Sequence, residues 1–242
     1  MVNIITDRKE LFGKYEKYKD NINVNINVNI NVNIHIFLSV SELKKIIPIK
    51  YHQMIDTFDN KKLFNEFMIK NNLENNIPKI LVEPNEYPFI VKPKIGLSGN
   101  NIKIFAKYSQ WKSFKEQYDN ENYIIQKYVD SENLYVCHIL SDHGNILMSK
   151  VYEGKKPYKY FYLTGALTDY TSRNMNSTEL LLFSKIIKQT LYHGLCCIDY
   201  DYDDDIIKIF EINPRAGGSL IENKKDFEEF LDIMINKSIE YN

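Results

Sequence analysis

Cysteine is scarce in this chain: there are three among 242 residues, and Cys196 and Cys197 are adjacent. That number and spacing exclude a disulfide scaffold, and a reducing cytoplasm is the expected compartment. No run of about 18 apolar residues, the minimum for a spanning helix, occurs. The N-terminus carries Asp7, Arg8, Lys9 and Glu10 where a signal peptide needs an apolar core. Neither a membrane nor a targeting segment is therefore expected. Surplus positive charge is missing too, with 31 Lys and Arg against 32 Asp and Glu, so nothing holds nucleic acid by counterion release. The phosphate-loop pattern GxxxxGK[ST], the dinucleotide pattern GxGxxG and the zinc pattern HExxH are all absent. The five histidines then read as structural or surface residues, and the cysteines as core. Alanine occurs only three times beside abundant Asn, Ile, Lys and Tyr. This bias points to an AT-rich coding sequence and warns against reading chemistry into surface asparagines.

What is present is enough apolar material for a sizeable core, 44% hydrophobic and 13% aromatic residues. Residues 21–34 alternate Asn with Ile or Val at a strict period of two, which predicts one long half-buried strand. A partner-binding edge competes here with a low-complexity expansion of an ordinary strand. Helices are expected over Ser41 to Ile47 and from an Asp59 cap to Asn71. From Pro88 onward the pattern is mostly strands, at 88–93, 101–105, 123–129, 134–140, 146–151, 195–200 and 206–212. A helix at Ser177 to Tyr192 is expected to end on Gly194 as its cap, an amphipathic segment at 225–239 closes the chain, and residues 153–176 read as a long loop or lid. The division expected is a reduced N-terminal α/β lobe over 1–56, containing the 21–34 strand, and a larger α+β domain over 57–242.

Two segments carry chemistry. In Phe89 to Asn101, Lys92 leaves an apolar strand beside a hairpin containing Gly96, Ser98 and Gly99. An ammonium and unhindered backbone N–H groups suit phosphate, although a surface lysine beside a turn has the same pattern. In Cys196 to Leu220, Asp199 ends one strand, while Glu211 and Asn213 end the next and share a face. Hairpin pairing would gather hard oxygen ligands suited to Mg²⁺. The EF-hand alternative fails, because counting from Asp199 the required Gly and Glu positions hold Asp204 and Phe210. Asp201, Asp203, Asp204 and Asp205 read as a solvated turn, and Arg215 before Gly217 and Gly218 offers an anion donor.

In order, DNKKLFNEFMIKNNLENNIPK, YPFIVKPKIGLSGNN, IIQKYVDSENLYV, GLCCIDYD and FEINPR resemble the motifs of the ATP-grasp superfamily over roughly residues 57–222. The match is to its carboxylate–amine ligases, and the EINPR ending followed by two glycines is similar to the carbamoyl-phosphate-synthetase-like branch. The resemblance implies an ATP-grasp fold of α+β class, in which two lobes clamp ATP after a short α/β domain. It places Lys92 and Lys61, or its neighbour Lys62, on the ATP phosphates under the loop of Gly96, Ser98 and Gly99. Gln126, Lys127 and Val129 fall at adenine, and Glu132 or Asn133 at ribose. Asp199, Glu211 and Asn213 would hold Mg²⁺, and Arg215 with Lys92 would be catalytic. The implied activity is ATP-dependent ligation of small carboxylates to amines through an acylphosphate, and a homodimer is compatible with it. A phosphotransferase acting on a hydroxyl and a non-catalytic nucleotide-binding module are the alternatives.

Overall fold

The computed structural model describes residues 2–5, 22–23, 32–37, 39–96, 99–119, 121–162, 167 and 169–237. Three sheets organise them. In the N-terminal sheet, β1 (Val2–Ile5) lies between β2 (Ile22–Asn23) and β3 (Val32–His35), parallel to both. The alternating tract is therefore not one strand as expected. It supplies two strands on opposite sides of β1, an arrangement that lets both edges of β1 hydrogen-bond.

Helix α1 (Val40–Ile46) is capped by Ser39, and Pro48, which lacks an N–H, follows its end. Helix α2 (His52–Asp59) runs across the expected lobe boundary and ends at Asp59. The cap of α3 (Lys61–Lys70) is accordingly Asn60, whose side chain accepts from the N–H groups of Lys62 and Leu63. Phe64 and Met68 of α3 are fully buried.

The small sheet has β4 (Phe89–Pro93) in the middle, antiparallel to β5 (Lys103–Phe105) and β6 (Tyr123–Lys127). Its alternation assigns the faces. Phe89, Val91, Phe105 and Ile125 pack with Trp111 of α4 (Tyr108–Phe114), Phe89 stacking on Phe105 at 5.1 Å between ring centres. Ile90 and Lys92 take the opposite face and border the interlobe cleft.

The large sheet is antiparallel, in the order β11 (Ile206–Asn213), β10 (Gly194–Asp203), β7 (Asn133–Asp142), β8 (Asn145–Lys155), β9 (Thr171–Arg173). Its two faces feed two cores. Leu134, Val136, Leu195 and Cys197 pack against α6 (Gly218–Glu222) and α7 (Lys224–Lys237). Cys137, Ile139, Cys196 and Ile198 pack against α3 and α5 (Ser177–Gln189). All three cysteines are free and buried. Helix α5 closes on Thr190, with Leu191 in the left-handed region at φ 49°. Gly194, expected as the cap, instead opens β10.

One irregularity decides the site. Asp199 pairs with Glu211, but the next pair is Tyr200 with Ile209, so Phe210 is an extra residue in β11. A bulge of this kind reverses the side-chain alternation. Ile207, Ile209 and Ile212 consequently all reach the core, while Phe210 and Glu211, adjacent in sequence, both line the cleft.

Candidate active site

The cleft lies between the small and large sheets and encloses about 750 Å³, counted to its open mouth. Its walls include Ile90, Tyr128, Val129, Val136, Phe161 and Phe210, and its polar floor is Lys92, Asp199 and Glu211. Apolar walls around a few convergent charges are the usual make-up of a small-molecule site.

Lys92 comes from the middle of β4 and is buried. Its Nζ lies 5.0 Å from the centre of the Phe210 ring, and among the described residues it makes no ion pair. Burial is the main cause that lowers its pKa to about 8, offset in part by Glu211. Lys61 arrives by a different route. Its backbone N–H donates to the Lys94 carbonyl at 2.8 Å, which fastens the start of α3 to the end of β4. The buried Lys61 Nζ then reaches Glu211 Oε2 at 2.6 Å.

Asp199 and Glu211 face each other across the β10–β11 pair. Burial, then the neighbouring Glu211, pushes the Asp199 carboxyl well up. Burial opposes ionisation of Glu211 as well, but Lys61, a hydrogen bond from Asp199 and the charge of Lys92 outweigh it and hold Glu211 down at about 2. Asn213 Nδ2 lies 3.2 Å from Glu211 Oε1 and 3.4 Å from Asp199 Oδ2, and Arg215 Nη2 donates to Asn213 Oδ1 at 3.2 Å. Two carboxylates held side by side, with the Asn213 amide against them and its oxygen on Arg215, form a hard donor set whose mutual repulsion a divalent cation relieves. The residues present fit Mg²⁺ in this respect.

Strand β6 carries Gln126 into the interior, where among the described residues neither its Oε1 nor its Nε2 has a hydrogen-bond partner. A buried amide left in this state is costly unless a ligand or solvent completes it. Lys127 and Val129 line the cleft. Glu132 is exposed, and Asn133 turns its side chain to the Tyr135 hydroxyl at 3.1 Å. Gly99, at φ 71°, reaches the cleft wall. Gly96 lies at the near end of the same loop, and Ser98 is outside the described residues.

The reading of Asp201 as a solvated turn residue is corrected: it is fully buried. Its Oδ2 pairs with Lys156 Nζ at 3.0 Å and accepts from Ser131 Oγ. Lys156 also lines the cleft and donates to the Val129 carbonyl at 3.3 Å. It lies at the end of β8 inside the segment expected to be a loop. Sequence spacing gives no sign that residues 45 apart would meet, so Lys156 was not among the expected site residues. Asp204 and Asp205 do form an exposed turn, both in the left-handed region.

Comparisons with known proteins agree with this geometry. A model of the ATP-grasp domain matches residues 59–219, well over half of the chain. The chain is similar to the D-alanine–D-alanine ligase of Petrotoga mobilis, 24% identical over an alignment of 180 residues covering 66% of this chain. The aligned part is 60% of that relative's length, so the chain spans less than two thirds of the curated relative it matches. Among solved structures, its fold is similar to a D-cycloserine synthetase, with TM-score 0.63, 10% identity and coverage of 98% and 100% of the two chains. It is similar also to the D-alanine–D-alanine ligase of Bacillus anthracis in complex with ATP, with TM-score 0.58, 14% identity and coverage of 98% and 95%. A cleft between two sheets, floored by buried lysines and a paired carboxylate hairpin, has its explanation in that kinship: the chain belongs to the ATP-grasp domain family.

Proposed function

We propose that this protein is an ATP-dependent carboxylate–amine ligase that binds MgATP in the interlobe cleft, within the domain expected over 57–242. The observation that carries the reading is the convergence of Lys92 and Lys61, from separate elements, on the paired Asp199 and Glu211. A nucleotide-sensing module has no need of a buried lysine beside a complete hard-ligand set. The relatives named above are ligases or synthetases, and one of them is solved with ATP.

In this reading the γ-phosphoryl group passes to a carboxylate oxygen, giving an acylphosphate and ADP. An amine then attacks the acyl carbon, phosphate leaves, and the nitrogen loses a proton. Asp199, Glu211 and Asn213 would hold Mg²⁺, whose charge would offset that of the phosphates during transfer. Lys92 and Lys61 supply fixed positive charge to the phosphates, and Arg215 faces the charge that develops on the transferred phosphoryl or the acylphosphate. Gln126 and the backbone of Lys127 and Val129 meet adenine, giving the orphaned Gln126 amide its partner. Glu132 or Asn133 contacts ribose, and the loop of Gly96, Ser98 and Gly99 covers the phosphates. Apolar walls around the cleft keep water from the activated acyl group.

The test is to screen pools of carboxylates and amines for ADP release in the presence of Mg²⁺, and to identify the product by mass. Amide formation is expected. A phosphorylated alcohol with no amide, or nucleotide binding without ADP release in any pool, would overturn the ligase reading.

A further inference from the structure

A second cluster of ligating side chains lies at the far end of the large sheet, and it does not depend on how the cleft is read. We propose that Asp142, His143 and His193 form a binding site for a borderline transition-metal ion of the zinc class. Asp142 ends β7, His143 is in the β7–β8 turn, and His193 precedes β10. One ligand atom from each of the three lies within 4.8 Å of the others. His143 Nδ1 is 2.6 Å and His193 Nδ1 is 3.2 Å from the same Asp142 Oδ1. Ligand atoms around a tetrahedral zinc are roughly 3.3 Å apart, given bonds of about 2.0–2.1 Å. A small rotation of the exposed His143 and Asp142 side chains converts one spacing into the other.

The fold holds these groups together without help from a metal. Gly144 N–H and Ser141 Oγ both donate to the Tyr192 carbonyl, at 2.8 and 2.9 Å, pinning the turn beside His193. His193 is buried, and Tyr51 stacks on it at 5.9 Å. The Tyr51 hydroxyl lies 3.4 Å from His143 Nε2, the position of an outer partner that orients a ligating imidazole through its other nitrogen. Asp142 and His143 side chains are about half exposed, at 45% and 59%, so an ion can enter and a water can complete the set. Two imidazoles and one carboxylate favour zinc, cobalt or nickel over magnesium and calcium, which take oxygen. On β7 the cluster is six residues from Val136, the partner of Asp199, or about 20 Å at the usual rise. It is thus separate from the cleft, and by joining the β7–β8 turn, the start of β10 and the Tyr51 segment an ion there would stabilise the fold.

The test titrates ZnCl₂ into chelator-treated full-length protein, following heat of binding and melting temperature. Three variants accompany it: His143→Asn, Asp142→Asn and Asp199→Asn. Asparagine suits position 143 because the backbone there is left-handed, at φ 45°. The expected result is a zinc-dependent rise in melting temperature, at least tenfold weaker zinc binding in both turn variants, and retention of this binding in Asp199→Asn. Cobalt should give a visible absorption band that His143→Asn loses. Equal zinc affinity in wild type and both turn variants, or loss of binding only in Asp199→Asn, would overturn the proposal.

Discussion

Two buried polar clusters that meet at neighbouring residues of β10, Tyr200 and Asp199, are built on opposite terms. Around Glu179 every demand is met: its carboxylate accepts from Arg173 Nη1 and Nη2 at 2.7 Å each, from Asn176 N–H at 2.8 Å, from the Tyr202 hydroxyl at 2.9 Å and from the Tyr200 hydroxyl. Those bonds overcome the cost of burial and hold the Glu179 pKa below its ordinary value. In the cleft, among the described residues, Lys92 has no counter-ion within pairing distance and the Gln126 amide has no hydrogen-bond partner, while burial and Glu211 push the Asp199 carboxyl up. A complete buried network fixes a fold, whereas an incomplete one stores interactions that a ligand can supply.

Breaking the complete network should have the largest effect on stability. Arg173→Met leaves the Glu179 carboxylate buried without its cation and should cost about 3–5 kcal/mol in urea unfolding. A loss below about 1 kcal/mol would mean that the network is not what holds β9 to α5.

In the incomplete cluster, substitution should affect turnover while sparing the fold. Lys92→Met keeps the aliphatic stem and removes the charge, so ADP release should fall at least tenfold, as expected for a charge-assisted phosphate contact of about 1.5–3 kcal/mol. Lys94→Met should do less, because Lys94 Nζ is directed to the Glu121 carbonyl on the outer side of the hairpin. Equal activity of Lys92→Met and wild type would move the phosphate site elsewhere.

A tight packing contact should come next in size. A Cβ on Gly217 would lie 2.4 Å from His138 Cε1 and 2.9 Å from Cys197 Sγ, and His138 is fully buried. Gly217→Ala should therefore destabilise by about 1–3 kcal/mol in thermal or urea unfolding. An unchanged midpoint would show that the His138 pocket can yield.

The pH dependence of stability sharpens the contrast most finely. The folded pKa of Lys92, about 8, is below its ordinary 10.5, so between those values the unfolded chain binds more protons. The penalty of burying the charged lysine is full below pH 8 and is relieved as pH rises toward 10.5. The stability of nucleotide-free wild type relative to Lys92→Met should therefore rise across this window, at a limiting slope on the order of 1.4 kcal/mol per pH unit. A flat difference would show Lys92 to be solvated.

Much of the fold was legible in local pattern. The apolar run predicted the strand 88–93 that carries Lys92, and the Asp199 to Asn213 hairpin predicted the carboxylate pairing that the structure contains. Helix ends were less legible: Asp59 and Asn60 are both good caps, and only the break between α2 and α3 selects Asn60. The alternating tract misled for a related reason, since a repeating NINV pattern satisfies a strand anywhere along it and cannot say where the chain turns.

The sequence by itself marked Lys92, Asp199, Glu211 and Asn213 as candidates for phosphate and a hard cation, because side-chain chemistry and strand period are local properties. Only the tertiary structure decided that Lys61 closes on Glu211, that a bulge at Phe210 brings two consecutive residues into the cleft, and that Asp201 is buried against Lys156. It also decided that His143 and His193, fifty residues apart, share Asp142. Each of these contacts joins segments distant along the chain, and their approach is set by how sheets and helices pack rather than by any pattern within one segment.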